Sequence, residues 1–290
     1  MHLLSVSQLT KENVMEYIHR AKTMHTPPSY PNKTVLTLFY EPSTRTSCSF
    51  QSAAHKLGCN VIPLTDKTSS SQKGETLEDT VRTLSFYGDV LILRHPEKGS
   101  VQRAASVSRI PIINAGDGNG EHPTQALLDV YTMYTELERQ GRTLDSMTVT
   151  FVGDLKNSRT VHSLILLLAL FPRIRFLCVH PPSLPLPPLV SHESMSLDEV
   201  LPQTDILYMT RIQKERLTDE EYTIVMQDHS KYCIDSERMK HAKDTMLLMH
   251  PLPRCHEISP EVDSDPRAIY FKQVEHGVYM RMAILDRLFS

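Results

Sequence analysis

This chain has no marked excess of charge. Its 290 residues carry a formal net charge of -3, so no polyanionic partner such as a nucleic acid is expected, and any basic character must be local. Long hydrophobic runs are also missing: the longest, Leu164 to Phe171, is far too short to span a bilayer. The start, Met1-His2-Leu3-Leu4-Ser5, lacks a basic flank and a long apolar core, so no secretory signal is expected. The five cysteines (Cys48, Cys59, Cys178, Cys233, Cys255) form no CxxC pair and are odd in number, which points to reduced thiols and a cytoplasmic location. Cys255-His256 near His250 resembles a zinc cluster only superficially. Adjacent residues rarely ligate one ion and a second cysteine pair is missing, so no metal is expected. Val152-Gly153-Asp154 follows a strand-like run, but no GxGxxG comes after it, which leaves a dinucleotide cofactor unsupported.

What is present is an alternation of short β-rich runs with helical patterns, the signature of parallel α/β sheets. Length suggests about two domains, and the 40% apolar content can fill packed cores. A helix is predicted after Ser7 or Thr10, with Val14, Tyr17, Ile18, Ala21 and Met24 on one face. Strands are predicted at 34–40, 60–64, 89–93 and 110–114, with helices near 46–58, 75–87, 98–107 and 123–138. The polar stretch Arg139 to Asp145 reads as a domain boundary. A second series follows, with strands at 147–152, 174–179, 205–209 and 245–249, a helix at 160–171 and a final amphipathic helix at 272–289. The expected domains are therefore 1–138 and 139–271, followed by the terminal helix at 272–290. Pro181 to Pro188 is too proline-rich for a helix and reads as an extended surface crossing, with a PxxP ligand as the alternative.

Chemistry concentrates at the ends of the predicted strands. Glu41-Pro42-Ser43-Thr44-Arg45-Thr46-Ser47 follows the first strand and opens a helix, where unpaired N–H groups and the helix dipole favour an anion. Ser and Thr are ordinary N-caps, but a cap needs one hydroxyl and no arginine, so a phosphate site is the better reading. Arg94 ends the strand before His95-Pro96. A lone arginine there is usually a solvated charge. In a parallel sheet it shares an edge with Arg45, and two guanidinium groups without carboxylate partners would converge on an anion. His122 lies beyond the loop Asn114 to Gly120, whose glycines allow close backbone approach. Thr124 and Gln125 beside it supply a hydroxyl and an amide. Of the other histidines before proline, His180 reads as surface structure, His250 as shaping the turn Pro251-Leu252-Pro253, and His95 as a strand cap. Thr68 to Glu75 reads as a polar loop with an incidental Lys73. Arg159 and Arg211 each start beyond a strand of the second series, and either alone would pass for a surface charge.

Taken together, these motifs resemble the transcarbamylase family. The resemblance runs through Ser-Thr-Arg-Thr at 43–46, Gln72-Lys73-Gly74-Glu75-Thr76, Leu93-Arg94-His95-Pro96, His122-Pro123-Thr124-Gln125, Val152-Gly153-Asp154-Leu155-Lys156, Arg159-Thr160-Val161-His162-Ser163, Tyr208 to Arg216 and His250-Pro251-Leu252-Pro253-Arg254. The order is that of the aspartate-specific branch, most closely its eukaryotic members. The resemblance implies two doubly wound parallel-sheet domains, with the C-terminal helix packing back on the first. It implies that Ser43, Thr44, Arg45, Thr46, Ser69, Arg94, His122 and Gln125 bind carbamoyl phosphate, together with Leu252 and Pro253, whose peptide bond is expected to be cis. It assigns Lys73, Arg159, Arg211 and Gln213 to aspartate, and catalysis to Arg45, Thr46, Lys73, Arg94 and His122. Ser69 and Lys73 are expected to enter the site of a neighbouring chain in a homotrimer. No cofactor or metal is implied, and a larger multienzyme or regulatory partner is compatible with it. The segment 181–196 departs from the family in being too short for the usual helix. An ornithine-specific relative would need an anionic or polar pocket and carries His-Cys-Leu-Pro where this chain has His250-Pro251-Leu252-Pro253. An inactive scaffold would have no reason to keep every polar residue, and a dehydrogenase lacks its glycine fingerprint.

Overall fold

The computed structural model describes residues 2–65 and 74–290, so the expectations for Ser69 and Lys73 lie outside the described residues. By its internal contacts the chain forms two compact units, Met1–Tyr131 with Val274–Ser290, and Thr132–Gln273.

The first unit opens with a helical turn, Val6–Gln8, closed by a reciprocal cap between Ser5 and Gln8. It continues into α1 (Lys11–Thr23), which buries Val14, Tyr17, Ile18 and Ala21, the face its spacing predicts. The chain then alternates through β1 (Thr34–Phe39), α2 (Thr44–Lys56), β2 (Asn60–Thr65), α3 (Leu77–Leu84), β3 (Val90–His95), α4 (Ser100–Val107), β4 (Ile112–Asp117) and α5 (Pro123–Arg139). The strands pair in parallel in the order β2-β1-β3-β4. β1, β3 and β4 are buried over most of their length, which is why they read as near-continuous apolar runs. Pro63 is confined to the edge strand β2, where its missing donor costs little. β4 extends to Asp117, so much of the expected Asn114–Gly120 loop is strand.

The second unit runs through β5 (Thr148–Val152), α6 (Arg159–Leu168), β6 (Arg175–Val179), β7 (Glu193–Ser194), α7 (Leu197–Val200), β8 (Ile206–Met209), α8 (Asp219–Gln227), α9 (Ser236–Met239) and β9 (Leu247–Met249). Its strands are again parallel, in the order β7-β6-β5-β8-β9. Their apolar faces enclose a core that includes Val152, Leu177, Leu207, Met209, Ile234 and Leu248. The stretch after α5 is tied to this sheet: Arg142 reaches Asp205 at 2.6 Å, and Lys243 meets the same carboxylate at 2.9 Å. Burial would push the Asp205 carboxyl up, but the Thr148 N–H, Lys243 and Arg142 outweigh it and hold it below its ordinary range.

The stretch 181–188 forms no helix, as its prolines dictate. It is more than a surface crossing, however. Leu184 and Leu186 are buried, and the Leu184 N–H donates to the Pro181 carbonyl at 2.9 Å, closing a turn.

α10 (Tyr270–Phe289) ends the chain, and its later residues belong to the first unit. Asp286 accepts from Arg20 at 2.5 Å and from the Tyr30 hydroxyl at 2.6 Å, while Arg287 reaches Glu16 at 3.0 Å and Tyr17 at 2.9 Å. The fold is therefore two parallel α/β sheets, with the C-terminal helix returned to the first.

Candidate active site

Each sheet has one point where the strand order reverses. From β1 the chain goes to β2 on one side and returns to β3 on the other; from β5 it goes to β6 and β7, then returns to β8. Crevices outside the carboxyl ends of such strand pairs are where open α/β sheets hold ligands.

At the first reversal, β1 delivers residues 40–43 to the start of α2. Ser43 occupies the N-cap position in extended conformation, but its side chain makes no capping hydrogen bond. A plain cap therefore does not explain its presence. Thr44 and Arg45 are exposed and Thr46 is buried. β1 and β3 pair with Phe39 opposite Arg94, and the Tyr40 N–H donates to the Arg94 carbonyl at 2.9 Å. That register sets the Arg94 side chain beside the motif. Its Nε lies 3.2 Å from Glu41 Oε2, and Nη1 approaches the Ala115 carbonyl at 3.5 Å. The expectation that Arg94 lacks a carboxylate partner is thus overturned. Glu41 orients the guanidinium. Glu41 stood inside the motif itself, but its pairing depends on strand register, which spacing does not reveal.

β4 delivers the third element of this crevice. His122 is buried, and its carbonyl accepts from the Gln125 N–H at 3.0 Å and the Ala126 N–H at 3.2 Å, so it opens α5. Its Nδ1 lies 3.4 Å from the Thr124 hydroxyl. The Gln125 amide donates to Asp129 at 2.9 Å. Behind them the loop is braced by Asp117, which accepts from the Gly99 and Glu121 N–H groups at 3.0 and 2.8 Å. Gly118 has φ 56°, and a Cβ there would meet the Pro96 carbonyl at 2.3 Å, so only glycine fits. Glu121 in turn accepts from the Ser5 hydroxyl at 2.6 Å and the Val6 N–H at 2.7 Å.

At the second reversal, β5 and β8 are knitted together at their ends. Gly153 has φ 116°, and a Cβ there would lie 2.1 Å from the Thr210 carbonyl. Asp154 is fully buried. Burial pushes its carboxyl up, opposed by the Asn157 backbone and side-chain donors and by the Gln213 N–H at 3.4 Å. This residue, assigned no role by sequence reading, ties the β5 loop to the β8 loop. Ser158 caps α6, and Arg159 is its first residue. Arg211 pairs with Glu215, with Nη1 to Oε2 at 2.9 Å. The contact raises the guanidinium pKa and holds the Glu215 carboxyl below its ordinary range.

Beyond β9, the Leu252–Pro253 peptide bond is cis. His250 is buried with every ring nitrogen engaged: Nδ1 accepts from the Leu252 N–H at 2.8 Å, which leaves the proton on Nε2 to meet Glu257 Oε1 at 2.7 Å. It shapes the turn, as read from the sequence. His95 accepts from the Glu97 N–H at 3.1 Å and packs on Tyr40, and burial lowers its pKa. His180 lies within reach of the Pro181 carbonyl and the Ser194 hydroxyl.

Ser43–Thr46, Arg94, His122 and Gln125 thus all belong to the first unit, and Arg159, Arg211 and Gln213 to the second. Leu252 and Pro253, grouped from sequence with the first set, belong to the second unit. Among the described residues no helix is long and apolar enough to cross a membrane.

The family profile "Aspartate/ornithine carbamoyltransferase, carbamoyl-P binding domain" matches residues 1–135, and "Asp/Orn binding domain" of the same family matches residues 145–288. Multifunctional protein CAD of Squalus acanthias is 48% identical over 98% of this chain, which spans only 13% of that protein. The aspartate carbamoyltransferase catalytic subunit of Thermoplasma volcanium is 47% identical, with 90% of this chain and 87% of the relative covered. Aspartate transcarbamoylase of Trypanosoma cruzi, solved in complex with N-(phosphonacetyl)-L-aspartic acid, superposes with a TM-score of 0.92 at 41% identity, covering 98% of this chain and 94% of that one. Profiles over both halves of the chain and this level of identity lead to one conclusion: the chain belongs to the aspartate/ornithine carbamoyltransferase family.

Proposed function

We propose that this chain transfers the carbamoyl group of carbamoyl phosphate to the amine of L-aspartate, giving N-carbamoyl-L-aspartate and phosphate in pyrimidine synthesis. The observation that carries the reading is the division of cations between the two crevices. Arg45 and Arg94 stand at the first, beside the hydroxyls at the start of α2; Arg159, at the start of α6, and Arg211, after β8, stand at the second. The first set suits a phosphate dianion. The second suits a substrate with two carboxylates and not the cationic side chain of ornithine.

In this reading Ser43, Thr44, Arg45, Thr46 and Arg94 hold the phosphate. His122 donates to the carbamoyl oxygen, and Gln125 holds the carbamoyl amide. Arg159, Arg211 and Gln213 hold aspartate, whose carboxylate competes with Glu215 for Arg211. The amine nitrogen attacks the carbamoyl carbon, charge gathers on the carbonyl oxygen, and His122 stabilises it. The C–O bond to phosphate then breaks, and the departing phosphate takes the amine's proton. Positioning and charge neutralisation supply the acceleration. Ser69 and Lys73 come from the neighbouring chain of a cytoplasmic homotrimer, with Lys73 adding a cation for aspartate. The same catalytic unit serves in a free-standing chain or in a multifunctional one.

The test is product formation from carbamoyl phosphate with aspartate and ornithine in parallel, on protein sized by light scattering. Carbamoyl aspartate alone, from a particle of three times the chain mass, is expected. Citrulline, or neither product, would overturn the assignment of substrate.

A further inference from the structure

The turn Pro181–Leu184 and the loop after β8 meet in a small apolar cluster. Leu184, Ile212 and Val225 are buried in it, and Leu217 and Tyr222 pack against them. Ile212 lies between Arg211 and Gln213, so the cluster holds the backbone from which both polar side chains spring. Leu184 is held from its own side. Its N–H donates to the Pro181 carbonyl, which also lies 2.9 Å from His180 Nδ1, while His180 Nε2 lies 3.2 Å from the Ser194 hydroxyl of β7. On its other side the loop is tied to the end of β5, by the Thr210 N–H to the Val152 carbonyl at 2.8 Å and the Gln213 N–H to Asp154 at 3.4 Å. The closed turn also disposes of the PxxP alternative for residues 181–184. A polyproline ligand has no internal hydrogen bonds, and Leu184 faces inward.

We propose that Leu184 is a positioning residue for the Arg211–Gln213 segment: the short proline-rich turn serves as a fixed apolar stop against which Ile212 seats. Because the cluster is separate from the main core of the second unit, losing it loosens the segment without melting the sheet. The consequence for function rests on the reading of Arg211 and Gln213 as aspartate ligands. Carbamoyl phosphate has its proposed side-chain contacts on the first unit, and Leu252 and Pro253 lie outside the cluster, so it is spared.

The experiment uses the whole protein with Leu184→Ala and, as the volume-conserving control, Leu184→Met. The expected result for Leu184→Ala is a rise in the aspartate KM of about tenfold, with the carbamoyl phosphate KM within about twofold. Amide hydrogen exchange should accelerate at residues 212–217 and stay unchanged in β5, β8 and β9. Leu184→Met should restore both. Unaltered exchange at 212–217, an unaltered aspartate KM, or equal weakening of both substrates would each overturn the proposal. Should Leu184→Ala fail to fold, Leu184→Val gives the same readouts at lower amplitude. A wild-type protein that makes no carbamoyl aspartate would defeat the functional reading instead, and the two failures are separable because exchange is measured without turnover.

Discussion

At the scale of single residues, the proposed phosphate grip depends on Arg45. Arg45→Ala should lower turnover by roughly 10²–10³-fold, the scale of removing a donor that stabilises developing charge, with the thermal midpoint nearly unmoved because the side chain is exposed. Near-normal turnover would remove the loop from the site. Arg211→Ala should raise the aspartate requirement far more than the carbamoyl phosphate requirement, measured by varying each at saturation of the other. A third expectation concerns pH. Burial would raise the Glu257 carboxyl, but the hydrogen bonds from His250 and the Cys255 N–H outweigh it and hold it below its ordinary value. Its folded pKa is thus below the unfolded one. The contact adds stability above a pH of about 4.3 and loses it as pH falls through the folded value. Glu257→Gln should cost about 1–3 kcal/mol at neutral pH and flatten this part of the acid limb, as read from urea midpoints. The positions of Arg45, Arg94, Arg159 and Arg211 were legible because each stands at or beyond the end of a strand-like run in sequence. Glu41 and Asp154 were not, because their partners are set by register and by the meeting of two loops.

At the scale of elements, the strands that are buried on both faces announced themselves as apolar runs, and α1 as a stripe of fixed spacing. β7, with two exposed residues, carries no such signal, and α8 buries only Val225. Elements of that kind are held by neighbours, so periodicity cannot find them. Leu184 is the instructive case, since a leucine among prolines gives no hint of which loop it supports. The end of α10 is fastened by charge as well as by packing. Asp286 accepts from both Arg20 and Tyr30, and burial together with that carboxylate pushes the Tyr30 hydroxyl up to about 12. Asp286→Ala removes the acceptor of Tyr30 and one of those of Arg20, which keeps Glu16, and should destabilise the first unit by about 1–3 kcal/mol. A urea transition that does not move would show that packing alone holds the helix.

At the scale of the whole molecule, the proposed homotrimer makes a claim that single-chain mutants cannot. Arg45→Ala and Lys73→Ala proteins should each be nearly inactive. Dissociated, mixed and reassembled, they should regain activity, because in a ring of three some junctions pair an intact Arg45 with a neighbour's intact Lys73. If mass analysis shows mixed trimers and no activity returns, Lys73 acts within its own chain or not at all. A different consequence follows from the two-segment first unit, built from Met1–Tyr131 and Val274–Ser290 with the second unit lying between them in the chain. On the ribosome, the first segment waits for its partners in the second until everything between has been made. Asp286 and Arg287 are translated after the whole of the second unit, and Arg20, Tyr30 and Glu16 lack them until then. The unit that is second in sequence is continuous and needs nothing made after Gln273, so the order of synthesis is not the order of completion.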